Sequence, residues 1–111
     1  MANFRQSITV ADGAGGNGNF PGASGVQVDG GEYPVYITGS FQDATLTLQM
    51  GLDGSSFVSL TEGDFTAASS DFRLTAPLNA YVRGVVSGAG SPSPDIDVTL
   101  VPIPNEGFWG K

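Results

Sequence analysis

A chain of 111 residues with 40% hydrophobic side chains can bury one core and fold as one domain. Its net charge of −7, against only four cations (Arg5, Arg73, Arg83 and Lys111), argues against nucleic acid and anionic membranes as partners, since both require clustered Lys and Arg. Without histidine or cysteine, a histidine-assisted nucleophile, a disulfide and a thiolate metal site are all excluded.

Residues 4–10 alternate: Phe4, Ile8 and Val10 fall on one side, Arg5, Ser7 and Thr9 on the other. This predicts a first strand, or an arm that pairs with a neighbour. Glycine then dominates, with eight of the 17 glycines lying from Gly13 to Gly31. Such density predicts a long loop with a short strand around Val26 to Val28. Residues 33–60 read as strand, turn, strand, turn, strand. Val35, Ile37 and Phe41 share one face of the first run; Ala44, Leu46, Leu48 and Met50 share one face of the second. In the third, Val58 and Leu60 alternate with Phe57 and Ser59. A period of two with one apolar face predicts an antiparallel meander, packed on one side and wet on the other.

Alternation resumes at residues 71–76, with Phe72 and Leu74 opposite Arg73 and Thr75, until Pro77 interrupts it. Ala80, Val82 and Val86 then alternate with Tyr81, Arg83 and Val85, and a Gly/Pro/Ser turn follows over 87–94. The last strand spans 95–103, with Ile96, Val98 and Leu100 inward and Asp95, Asp97 and Thr99 outward. The expected fold is therefore all-β: an antiparallel β-sandwich of seven or eight strands. Alternation leaves jelly-roll and immunoglobulin-like connectivity both open. The single domain, residues 1–111, divides into an arm and glycine-rich loop (1–32), a sandwich core (33–103) and a tail (104–111).

Four motifs read better as structure than as chemistry. Gly13, Gly15 and Gly18 match the spacing of a dinucleotide-binding turn, yet the sequence that follows, NFPGASG, cannot start the helix that such a site requires. The segment GGNGNF resembles a single calcium-binding nonapeptide, a site that needs stacked repeats. Asp95 and Asp97 project from one strand face, where a solvated pair that discourages edge pairing is the commoner case than a calcium site. Asp53-Gly54 suits a tight hairpin turn. No catalytic residues, cofactor or metal are expected. The aromatic residues point to partners instead. Phe4, Arg5, Phe20, Tyr36, Tyr81, Arg83, Phe108 and Trp109 are the candidate contact residues, with Phe41, Phe65 and Phe72 assigned to the core.

Residues 33–90 also resemble small structural virion proteins of tailed bacteriophages. The shared pattern is a strand ending in G-S/T-F (Gly39 to Phe41), an A-T-L-T-L-Q strand (Ala44 to Gln49), a D-G turn (Asp53-Gly54), an aromatic (Phe57) and a Y-V-R-G-x-V strand (Tyr81 to Val86). The resemblance implies a capsid cement or decoration protein, made in the host cytoplasm and carried on the capsid surface as a homotrimer bound to the major capsid protein. Two other readings are a carbohydrate- or host-binding module on a head fibre or tail, and a neck or head-completion protein. The absence of an apolar leader in the first ten residues and the low charged fraction of 14% fit such a protein.

Overall fold

The computed structural model describes residues 7–102. Phe4, Arg5, Phe108 and Trp109, with the tail at 104–111, lie outside them. The described chain contains nine strands: β1 (Ile8–Ala14), β2 (Gly18–Phe20), β3 (Val26–Gln27), β4 (Gly31–Ser40), β5 (Thr45–Gly51), β6 (Phe57–Phe65), β7 (Ser69–Ala76), β8 (Tyr81–Ser87) and β9 (Asp95–Leu100). They form two antiparallel sheets, a four-stranded one in the order β1-β9-β4-β7 and a five-stranded one in the order β2-β8-β5-β6, with β3 also paired to β8.

The inward faces of both sheets meet in one hydrophobic cluster. Val10, Tyr33, Val35, Ile37, Leu74, Ile96, Val98 and Leu100 come from the first sheet, and Leu46, Leu48, Val82 and Val86 from the second. β4, β5, β8 and β9 contribute alternate residues, the pattern that places every second side chain on the buried face. Burying a side chain such as Leu48 or Ile96 contributes roughly 1.5–3 kcal/mol. Gly84 faces the core with no room to spare: a Cβ there would stand 3.0 Å from Leu46 Cδ1 and 3.6 Å from Val10 Cγ1 of the other sheet. At one side Phe65 of β6 and Phe72 of β7 meet edge to face, 5.4 Å between ring centroids, and link the two sheets.

The pairings β1·β9, β2·β8, β4·β7 and β5·β6 are nested. Ile8 with Leu100, Val35 with Phe72 and Gly51 with Phe57 are each nearly equidistant in sequence from Asp53-Gly54. The chain is thus one long hairpin, folded over into two layers, with Asp53-Gly54 at its tip. Gly54 takes a positive φ of 76°. Asp53 Oδ1 accepts hydrogen bonds from the backbone N–H groups of Ser55 (3.0 Å) and Ser56 (2.9 Å), which fixes the turn.

Several sequence expectations change. Residues 33–60 are not a three-stranded meander: β4 lies in one sheet and β5–β6 in the other. Between them Phe41 and Ala44 are both buried, Ala44 N donates to the Phe41 carbonyl at 2.8 Å, and Gln42 and Asp43 take φ values of 50° and 70°. That turn carries the chain across the core, which alternation alone cannot reveal. The described residues hold nine strands, because the glycine-rich stretch holds more strand than its composition suggests. β1 runs on to Ala14, and β2 and β3 both pair along β8 on the edge that β5 leaves free. Ladder pairing uses backbone groups, which glycine supplies as well as any residue. The short strand expected near Val26 is β3, and the inward sets of β5, β7, β8 and β9 are those the alternation marks.

Candidate partner-binding surfaces

A run of side-chain hydrogen bonds crosses the outer face of the five-stranded sheet. Arg83 Nε donates to Gln49 Oε1 at 2.8 Å, and its Nη1 donates to the Ala23 carbonyl at 2.7 Å. Its guanidinium stacks over Phe57, 4.1 Å from the ring centroid. The register makes this cluster unavoidable, since Gln49 pairs with Arg83 and Gly51 with both Phe57 and Tyr81. Farther along β5, Gln49 Nε2 donates to Ser59 Oγ at 3.2 Å and Thr47 Oγ1 to Asp64 Oδ1 at 2.8 Å. Tyr81 is half-buried, its ring packed against the backbone of Gly54. The face is already internally satisfied, so Arg83 works as a clamp on the scaffold.

Tyr36 belongs to the other sheet, between β7 and β9, and is 49% exposed. A shared surface of Tyr36 with Tyr81 and Arg83 therefore does not form, because their strands are not neighbours. Around Tyr36 lie Thr38, Ser70 and Asp71 in a shallow hollow of about 390 Å³. Phe20 packs partly against the hydrophobic cluster, which holds its ring in the scaffold. Asp97 accepts the Gly13 N–H through Oδ1 at 2.7 Å, tying β9 to β1. Among the described residues no group of three or more His, Cys, Asp or Glu gathers as metal ligands would.

One carboxylate is clearly perturbed. The Ser56 and then the Ser55 backbone N–H groups hold Asp53 below the usual aspartate range, because they stabilise its charged form.

The feature that alternation missed lies at the hairpin tip. Met50 pairs with Val58, on the same face as buried Leu46 and Leu48. Val58 is nonetheless 73% exposed, and Leu52, two residues beyond Met50, is 72% exposed. Together with Met50 they line an apolar recess of about 270 Å³. An inward-facing pattern is thus left uncovered. Sequence reading assigned Val58 to the core because period two reports a face without saying whether anything lies over it.

Comparison with protein-family models, with curated proteins and with solved structures finds no match to this chain.

Proposed function

We propose that this chain is a structural virion protein, a capsid cement or decoration protein that binds the phage head and ties neighbouring major capsid protein subunits together. The strand order carries the reading. With the two-residue β3 left aside, the strands in chain order give sheets 1-8-3-6 and 2-7-4-5. That nested order supports reading the fold as a β-sandwich of jelly-roll type, an architecture used by viral capsid and lectin domains. The resemblance of residues 33–90 to phage head and neck proteins points the same way.

On this reading the two sheets form a rigid block, and attachment comes from burial of exposed apolar side chains at repeated lattice sites. Multivalency then turns a modest single interface into tight binding, with trimerisation multiplying the contacts. The decisive experiment quantifies this chain against the major capsid protein in purified particles and locates it by cryo-electron microscopy. Copy number rising with the number of capsid subunits and density over their junctions are expected. A single small ring at one vertex would instead make it a neck or head-completion protein, and absence from the particle would overturn the proposal.

A second reading, a carbohydrate-binding module on a head fibre or tail, draws on Tyr36. Its half-exposed ring beside Thr38, Ser70 and Asp71 offers a stacking surface flanked by hydrogen-bonding groups. Specific retention on a glycan array, lost in Tyr36→Ala, would favour it.

A further inference from the structure

We propose that the uncovered face at the hairpin tip, formed by Met50, Leu52 and Val58, takes an extended apolar segment of another protein, flanked by Lys or Arg. Three observations converge on that occupant.

First, the face is built as an inner face. Met50 and Val58 sit opposite each other on the side of β5 that buries Leu46 and Leu48, yet Leu52 and Val58 are largely exposed. Two of the four exposed large hydrophobics among the described residues therefore stand together here. A patch this narrow is small beside the roughly 800 Å² per partner of a standard interface, so a single extended strand fits it better than a broad globular surface.

Second, β6 is the terminal strand of its sheet, so the patch borders an open edge. An added strand would gain ladder hydrogen bonds from that edge and place alternate side chains on Val58 and Leu52. The straight part of the edge is short. Beyond Ser59 the β5–β6 register slips, and Glu62 takes a φ of 60°. A bulge of this kind ends regular pairing, which limits the added segment to a few residues.

Third, the border is acidic. Asp53 lies in the recess, while Glu62 and Asp71, against the single cation Arg73, line the groove between β6 and β7 beside Leu60 and Phe72. Of the two described arginines, Arg73 borders the same groove but pairs with Glu32 at 3.2 Å, and Arg83 is held on the outer face by Gln49, Ala23 and Phe57. A second copy would bring like charges together, whereas a partner segment with flanking cations would neutralise them.

The inference stands apart from the virion proposal, because it can be read in solution without particles. The full chain is titrated with two synthetic peptides, each a short alternation of Val and Ser, one flanked by lysines and the other by glutamates. Amide chemical shifts map the site and anisotropy gives the affinity. The expected result is saturable binding of the Lys-flanked peptide, at least tenfold tighter than its Glu-flanked twin, with shifts centred on Met50, Leu52 and Val58. Val58→Asp and Leu52→Asp, at positions too exposed to unfold the core, weaken it at least tenfold, and Tyr36→Ala leaves it unchanged. No binding, equal binding of both peptides, or shifts elsewhere would overturn the inference. Self-association of the free chain that Val58→Asp abolishes would also overturn it, by making a second copy the occupant. If the peptide binds but particles lack the protein, the docking face survives and the virion reading fails.

Discussion

Arg83 and Phe57 are joined across the five-stranded sheet, with the guanidinium carbon of one 4.1 Å from the ring centroid of the other. Because Arg83 also holds Gln49 on β5 and the Ala23 carbonyl in the loop between β2 and β3, one side chain fastens three separate segments. Arg83→Ala should lower stability by about 1–2 kcal/mol, combining the cation–π contact and the lost hydrogen bonds. Arg83→Lys should recover only part of this, since an ammonium lacks the planar fork. Urea unfolding of the three proteins measures both effects, and a fully rescued lysine variant would contradict the assignment.

The Asp53 turn makes stability pH-dependent in a defined direction. Its native pKa lies below the ordinary aspartate value, held there by the Ser56 and Ser55 N–H groups. The contribution is therefore complete above about pH 3.9 and disappears as pH falls from there through the lower native value. Asp53→Asn keeps an acceptor oxygen but cannot titrate. The wild type should be the more stable at pH 6, and its advantage should shrink as the pH drops below about 4. Thermal melts across that range test it, and a gap that stays constant would remove Asp53 from the account.

Gly39 tolerates no side chain. Its φ is +107°, and a Cβ there would collide with the Asp95 carbonyl on the paired strand β9. Gly39→Ala should cost on the order of 2–3 kcal/mol through strain and displaced pairing. Hydrogen exchange should localise the damage to the Thr38–Asp97 neighbourhood, and an unchanged melting midpoint would refute it.

Tyr33 is fully buried, and its hydroxyl donates to the Asp29 carbonyl at 2.7 Å. Tyr33→Phe should cost about 1 kcal/mol, the usual net value of one hydrogen bond. Tyr33→Ala should cost about 3–5 kcal/mol, because the cavity adds to it. Equal losses in the two variants would mean that the hydroxyl, not the ring, is what matters.

Much of the sheet content was legible because it depends on local alternation. Leu46 and Leu48, Val82 and Val86, and Ile96, Val98 and Leu100 are inward as their spacing indicates. Pairing was not legible, since β1 meets β9 and β4 meets β7 across long stretches of chain, and period two carries no information about neighbours. The same limit hid the separation of Tyr36 from Tyr81: two outward residues share a surface only if their strands share a sheet. Val58 shows the converse. Its face is readable, but its exposure depends on how far the opposite sheet extends.

Folding the whole chain about Asp53-Gly54 also sets how it would carry mechanical load. Ile8 and Leu100 are paired neighbours, so the described chain enters and leaves side by side at one end of the four-stranded sheet. Tension applied between those two points would peel β1 from β9 one rung at a time, starting at Ile8–Leu100 and reaching the register irregularity near Ala11 early. Tension directed along a strand against both of its neighbours loads many rungs together. β9, held by β1 on one side and β4 on the other, is placed to resist that direction of pull.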